Sequence, residues 1–489
     1  MQGVFLIRVG IRFVGEIVFK NLPIYAIICK KLGGHTTMTN LIPQLLEYFK
    51  ENYGIKITNS SDLFKTEKNM LEYLVGIGRK LMNKIFEEMD TGYEGNRIEK
   101  DGNEYEFKEN RNKSIHGLFG SIDYKRAYYV GDGKAEGGYI PLDEKLGIKK
   151  KHTPGFNYFL SSFTGREAYQ ESLNRFHEIF RPDGRDLVSL RKALDMDYGL
   201  GERLEGIRQE EIERVFEKGE EVEKEDVIEG VMAVSIDATK VREKLGEEVT
   251  NGGGKRYEIG FKDVKIAGVS EIVFDKKQQE AKCTDTSYVS GIEHADDFFN
   301  RVWVEMTRRS EDLSKGSIVF LGDGAPWIWD RVLDMANKES IQILDYYHAC
   351  EHLSDICKEM YVEGTDLYWE YFRKWKDLIY EGKVEKVIGA LRKKRDKSGK
   401  ESLREIIQKE INYFEVNKER MRYDKYRKMR LPIGSGTIES ACKNVIGGRL
   451  KQGGMTWSPS GAKGMLQIRS SIKSDRFYND FKRTLQNAA

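Results

Sequence analysis

Ser317-Ile318-Val319-Phe320-Leu321-Gly322-Asp323-Gly324 is a short apolar run that ends on an acid set between two glycines. Ile, Val and Phe favour a buried, pleated strand, and the glycines stop it. The same shape recurs on both sides. Ala233-Val234-Ser235-Ile236-Asp237 closes a strand expected over 231–239, the run 341–344 ends at Asp345, and 256–274 is rich enough in Val and Ile for one or two strands more. A helix is expected at about 295–309. Strands alternating with helices make an α/β domain. From His348 to about Arg430 the pattern is helical throughout, and Leu431-Pro432-Ile433-Gly434-Ser435-Gly436 then leads into a last helix. The expectation is an α/β domain over 231–489 with a helical insertion at about 346–430.

Upstream, apolar residues recur at helical spacing, first Leu41, Leu45, Leu46 and Phe49, then Leu71, Leu74, Ile77, Leu81 and Ile85. Two amphipathic helices follow, with their stripes in a core. Residues 91–150 alternate Gly-rich polar stretches with short runs such as 121–130, so a small sheet or hairpin is expected. Thr153-Pro154 opens a helical stretch to about residue 180, and 187–194 adds another helix, a pair that either packs plainly or reads DNA. Residues 201–230 hold 12 acidic and 5 basic side chains and read as a solvated helix joining two domains. The organisation expected is an N-terminal region at 38–200, mostly helical with a small sheet, then a linker at 201–230. Residues 1–37 stand apart. They are apolar and lightly basic, but Arg8, Arg12 and Lys20 break the run, and the uncharged stretch 21–29 is far short of the roughly 20 residues that cross a bilayer. We read them as an upstream-start extension, with Met38 opening the working chain.

The 489 residues are enough for two or three domains. A charged fraction of 33% beside 39% apolar residues, with 25 Tyr and 23 Phe, excludes a membrane protein and a largely disordered chain. Five cysteines without a CxxC pair fit neither a disulfide framework nor a common zinc ribbon, which points to a reducing compartment. The formal charge of +2 conceals a split. Residues 371–489 carry 29 basic and 13 acidic side chains and the first 370 carry 52 and 66, so +16 faces −14. A positive C-terminal third suits a phosphate polyanion.

Reactive groups of α/β sheets tend to lie at the carboxyl ends of strands. Asp237 and Asp323 are placed so, and Glu439 sits in Gly434-Ser435-Gly436-Thr437-Ile438-Glu439-Ser440, at the first turn of a helix with a Gly-rich approach. Three converging carboxylates repel one another unless cations lie between them, and hard oxygen ligands suit Mg²⁺ or Mn²⁺. The structural alternative is that such acids are helix caps or complement a helix dipole. His348 and His352 share a helix face with Cys350 and Cys357 nearby, which reads as a zinc site or as packed histidines. Past Glu439, Lys443, Arg449 and Lys451 are placed to grip a nucleic-acid backbone. Trp457 either stacks on an unpaired base or anchors a hairpin from within.

Four blocks carry a resemblance. Leu321-Gly322-Asp323-Gly324-Ala325-Pro326-Trp327-Ile328-Trp329, Ile343-Leu344-Asp345-Tyr346-Tyr347-His348-Ala349-Cys350-Glu351-His352-Leu353, Gly434–Lys443 and Arg449–Ser458 resemble, in order, the Kra-type insertion-sequence transposases of bacteria, relatives of the Lre-type group. The likeness covers about 230–485, with weaker similarity at 118–129 and 141–161. It implies a ribonuclease H-like catalytic core that cuts transposon ends and joins the freed 3′-hydroxyl to target DNA by two-metal-ion chemistry. The family's acid triad carries over onto Asp237, Asp323 and Glu439, separated by 86 and 116 positions, and Asp345-x-x-His348 matches an element that makes His348 a neighbour of the site. The partners implied are double-stranded DNA, as terminal inverted repeats and target, and further copies of the chain in a synaptic complex, with a cytoplasmic, nucleoid-associated place in the cell. A non-catalytic DNA-binding descendant and a nuclease without strand transfer are the alternatives.

Overall fold

The computed structural model describes residues 46, 47, 50, 51, 57–131, 138–148, 151–180, 188–250, 255–434 and 436–486. The chain divides into two compact units between Glu88 and Met89. In the first, α1 (Ser60–Glu88) starts where the Asn59 side chain accepts the Asp62 N–H at 3.0 Å. It carries the second expected stripe, but Leu71, Leu74, Leu81 and Ile85 are exposed rather than in a core. Only residues 46 and 47 of the helix expected at 41–49 are described, and the 1–37 extension lies outside the described residues.

The second unit opens with a four-stranded antiparallel sheet, β1 (Arg97–Lys100), β2 (Asn103–Gly117), β3 (Gly120–Gly131) and β4 (Gly138–Tyr139), paired in that order. The hairpin at its centre turns tightly, with Gly117 opposite Gly120 and Gly120 at φ 145°. A short helix, α2 (Pro141–Lys145), is tied to it because Lys113 and Tyr124 reach Asp143 at 2.7 and 2.5 Å.

Three helices follow: α3 (Pro154–Thr164), α4 (Tyr169–Phe180) and α5 (Leu190–Lys218). Thr153 caps α3 and Pro154 fills its first position, while Ser189 caps α5 and Gly219 ends it in the left-handed conformation. The expected boundary at 200/201 falls inside α5. Leu200, Gly201, Leu204 and Ile212 are buried, so this is no solvated joint. Two of its glutamates are paired with arginines, Glu205 with Arg301 and Glu211 with Arg308 at 2.5 Å, while most of its other acids stay exposed.

The main sheet runs β7-β6-β5-β8-β9, from β5 (Val231–Thr250), β6 (Lys255–Asp275), β7 (Glu280–Gly291), β8 (Ile318–Gly322) and β9 (Ile341–Leu344). β5, β6 and β7 form an antiparallel meander, and β8 and β9 run parallel to β5. Two expectations differ. β5 continues past residue 239, and 256–274 is a single long strand whose partner, β7, has a polar sequence that does not read as a strand. Parallel crossovers are made by α6 (Ala295–Arg308) and α7 (Pro326–Met335). The helical insertion is present as α8 (Tyr346–Met360), α9 (Asp366–Tyr380), α10 (Val384–Lys397), α11 (Glu401–Asn417) and α12 (Tyr423–Lys428).

The chain closes with α13 (Gly436–Ala441), a π-helical turn at Cys442–Gly447, α14 (Gly448–Leu450), α15 (Pro459–Lys473) and α16 (Phe477–Gln486). Two large apolar cores form among the described residues, beside a small cluster of Ile212, Val222 and Val304. One joins Val234, Ile236 and Phe320 to the insertion; the other joins the far half of β5 and β6, at Val241 and Ile266, to α3–α5 and α13–α15. Among the described residues no helix is long and apolar enough to cross a membrane.

Candidate active site

The parallel ladder between β5 and β8 ends at the pair Ile236–Gly322. The next residue of each strand is an acid, so Asp237 and Asp323 project where β8 stops and β5 runs on. Asp237 is therefore inside a strand rather than at its end, one residue past the last rung that β5 shares with β8. Its Oδ1 accepts the Ala238 N–H at 2.6 Å, and its Oδ2 accepts the Cys442 thiol at 3.1 Å. Burial pushes the Asp237 carboxyl up, the Cys442 and Ala238 hydrogen bonds oppose that, the charge of Asp323 adds to it, and His348 opposes it.

Asp323 is fixed by the turn that starts α7. Its Oδ1 accepts the Ala325 N–H at 2.9 Å, and its carbonyl accepts the Trp329 indole N–H at 2.7 Å. One strand further, the Asp345 N–H donates to the Gly322 carbonyl at 2.9 Å, and its carboxylate caps α8 by accepting the Tyr347 N–H at 2.6 Å. Asp345 thus serves as the cap that its residue type suggests, and places His348 in the first turn of α8. His348 is half-exposed, with Nδ1 3.1 Å from Glu351.

Glu439 lies on α13, held by buried Ile438 and Ala441, with its own side chain exposed. It is one turn before Cys442, whose thiol is pushed up by burial and then by Asp237, with Glu439 adding to the effect. The helix that carries Glu439 is thereby pinned to the strand that carries Asp237. Among the described residues no three His, Cys, Asp or Glu side chains close around one point as a metal-holding group. The zinc reading of His348 and His352 dissolves in the packing. Cys350 and Cys357 face the core, and His352 pairs with Glu410 at 2.8 Å while stacking on Tyr413 at 3.7 Å.

The basic residues divide. Lys443 is exposed, and Lys451, also exposed, donates to Thr239 two positions past Asp237. Arg449 is 0% exposed. Its Nε donates to the Thr164 carbonyl at 2.6 Å, and its guanidinium lies 4.6 and 4.9 Å over the rings of Tyr169 and Trp457. Trp457 is 5% exposed, with its indole N–H on the Leu450 carbonyl and its backbone bridged to Arg242 and Lys244 of β5. Neither side chain is offered to a phosphate or a base. Both hold the last helices onto β5, so the anchoring reading of Trp457 stands and the gripping role expected of Arg449 does not.

Two neighbours of the acids were not singled out by the sequence. Cys442 had one clue, its i+3 spacing from Glu439 on a helix. Tyr413 had none: it reaches the site from α11, packed over Gly324 so closely that a Cβ there would lie 3.0 Å from its hydroxyl. That hydroxyl is shut off from solvent without a hydrogen-bond partner among the described residues. Burial pushes its phenol up, and the charges of Asp323, Glu410, Asp345 and Glu351 push in the same direction.

Comparison with known proteins adds one match. Residues 56–154 match a family described as an uncharacterised protein family (UPF0236), a segment that precedes every candidate site residue. A search among curated proteins finds no match.

Proposed function

We propose that the protein is a metal-dependent DNA transposase built on a ribonuclease H-like core. The observation that carries this reading is the pair Asp237 and Asp323, adjacent on parallel strands where the ladder between them ends. Support comes also from the sheet, an antiparallel meander running into two parallel strands with the acids on its central strand and that strand's parallel neighbour. The four sequence blocks that resemble the Kra-type transposases all fall in this unit.

Two observations favour a hard divalent cation beside Asp237 and Asp323, although the three acids do not close around one point among the described residues. Asp237 is disfavoured as an anion by burial and by Asp323, and the Oδ2 of Asp323 accepts no hydrogen bond among the described residues. Asp237, Asp323 and Glu439 would hold two Mg²⁺ or Mn²⁺ ions. Such ions supply Lewis-acid activation of a phosphodiester and of the attacking oxygen. The residues themselves orient and neutralise. The Cys442 thiol fixes the Asp237 carboxylate, His348 lies close enough to act on its charge, and Lys443 and Lys451 face the phosphates of the bound strand. Water breaks a phosphodiester bond at the transposon end, and the 3′-hydroxyl set free attacks a target phosphate. The substrates are terminal inverted repeats and target duplex, worked on by a homo-oligomer in the bacterial nucleoid.

The test is incubation of labelled transposon ends with the full chain and Mg²⁺. Wild type nicks the end and Asp323→Asn does not. Nicking that survives Asp323→Asn refutes the site, and binding of the ends without nicking in Mg²⁺ or Mn²⁺ makes the protein a non-catalytic DNA binder.

A further inference from the structure

The helical stretch that begins at Glu439 leads to a second site. Past the π-helical turn it borders a pocket of about 420 Å³ lined by Arg166, Asn444, Gly448, Arg469, Ile472 and Lys473. Three cations line it and no carboxylate does. Arg469 is 3% exposed, and its guanidinium is spent on carbonyls, at 2.8 Å on Val445, 2.7 Å on Gly165 and also on Asn444. Those bonds engage each of its three nitrogens but leave its charge without a counter-charge. A buried guanidinium in that state raises the local potential.

The neighbours add to it. Burial pushes Arg469 down to about 10, and Arg449 and Arg166 repel it. Burial also lowers Lys473, with Arg469 and Arg166 contributing. Among the described residues neither Arg166 nor Lys473 forms an ion pair. Glu167, beside Arg166, is taken by Arg175 at 2.8 Å, and Asp475 favours the charge of Arg166 without reaching ion-pair distance. Other buried arginines of this unit are matched by acids, Arg301 by Glu205 and Arg476 by Glu305 at 2.7 Å, whereas Arg449 is held by a carbonyl and two rings. The position of Lys473 in the last turn of α15 suits the helix dipole. That accounts for neither Arg166 nor Arg469.

We propose that this pocket is a phosphodiester-binding subsite, in which one backbone phosphate of duplex DNA sits between Arg166 and Lys473, above buried Arg469. The anion site stands on this geometry alone, whereas DNA as the ligand rests on the transposase reading. Asn444 and Gly448 lie five and nine residues past Glu439. At about 1.5 Å per residue that is roughly 8–14 Å along the helical stretch, which is two to four base steps at about 3.4 Å each. A strand cut at the acids would place a phosphate of the same duplex here.

The experiment measures duplex binding to the full chain by fluorescence anisotropy in EDTA, over a salt series. Wild type is compared with the Arg166→Gln/Lys473→Gln variant and with Lys276→Gln/Lys277→Gln, an exposed turn far along the chain. Both pocket residues are exposed, and matched thermal melts confirm that the variants fold. Counterion release gives roughly a 5-fold loss per neutralised phosphate at 0.15 M salt, so the pocket variant, which gives up one phosphate, loses roughly 5-fold and its salt slope falls by about 1, while the control stays near wild type. An unchanged affinity and slope in the pocket variant overturns the subsite. Inorganic phosphate alone is the second arm: if it raises the melting temperature of wild type but not of the pocket variant, and the two bind DNA equally, the site takes free phosphate and the DNA assignment is overturned. Loss of binding in the pocket variant, together with no cleavage by wild type in Mg²⁺, leaves the subsite standing and removes the transposase reading instead.

Discussion

Gly201 of α5 meets Gly464 of α15 at the crossing that joins the central helices to the C-terminal ones. A Cβ added to Gly201 would fall on the Gly464 Cα, and would lie 2.7 and 2.8 Å from its carbonyl carbon and oxygen. These are backbone atoms and cannot swing aside as a side chain does. Gly201→Ala therefore forces the helices apart, at a cost of about 3 kcal/mol from overpacking. A helix-propensity gain of about 1 kcal/mol offsets part of that, leaving about 2 kcal/mol. Gly464→Ala meets the Gly201 Cα at 3.3 Å, so a small adjustment admits it. Gly206, on the same helix, has nothing within 4 Å of the added atom, and Gly206→Ala should stabilise by about 0.5–1 kcal/mol. For a unit of about 400 residues, with an unfolding entropy of about 2 cal/mol/K per residue, each kcal/mol moves Tm by about 1 °C. Urea midpoints at constant slope are thus the better assay. The order expected is Gly206→Ala, wild type, Gly464→Ala, Gly201→Ala, from most to least stable. The strain reaches the site as well, because Arg469 on α15 holds the Asn444 and Val445 carbonyls of the π-helical turn. A Gly201→Ala variant as stable as wild type, or less affected than Gly206→Ala, would refute the close crossing.

Three further outcomes follow from buried polar groups. The ladder between β6 and β7 slips at Val269–Glu271, where Arg309, 1% exposed, donates to the Val269 and Asp285 carbonyls at 2.7 and 2.5 Å. Arg309→Met strands both carbonyls and should cost about 3–5 kcal/mol by urea unfolding; a loss below about 1 kcal/mol contradicts that. His152, 4% exposed, has its ring 5.5 Å from His116 and 4.8 Å from Phe156, and burial, with His116 next, pushes its pKa down to about 4. The unfolded chain takes up that proton near pH 6.5 while the folded one does not. Stability is then full above about pH 6.5 and falls by about 3 kcal/mol as the pH drops to about 4, a slope that His152→Phe should flatten in pH-dependent unfolding. Arg449→Met should lower stability yet leave the salt slope of DNA binding within about 0.5 of wild type, since its charge is sealed between Tyr169 and Trp457; a slope lowered by about 1 restores the phosphate role.

Local pattern carried much of the architecture. Strand-forming runs that stop at glycines and acids marked β8 and β9 almost to the residue, and β8, buried at every position, is apolar throughout, as a short strand covered on both faces must be. The helical insertion was legible for a similar reason, in its sustained 3.6-residue repeat. β7 was not, because its strand character comes from a ladder with β6 and from contact with α15, where Ser290 meets Ser470 at 2.7 Å, rather than from its own side chains. The acidic segment after Gly201 misled in the same way. Two of its glutamates, Glu205 and Glu211, look solvated until Arg301 and Arg308, roughly a hundred residues on, are brought against them.

At the site, the residue types and their order along the chain were determined by sequence alone: an acid past each of two neighbouring strands, a third on a Gly-bordered helix, a histidine one turn into another. Only the tertiary structure decided which groups touch. The thiol on Asp237 comes from a residue 205 positions away, and the ring over Gly324 from the far end of the insertion. The charge count also changed meaning. The sequence located the excess of Lys and Arg in the last third, but the folded chain sorted it, sealing Arg449 among aromatic rings and leaving Arg166 and Lys473 without a counter-charge around Arg469. Spacing along a helix or strand constrains only neighbours within a turn or a pleat, whereas burial and partner choice depend on contacts hundreds of residues apart.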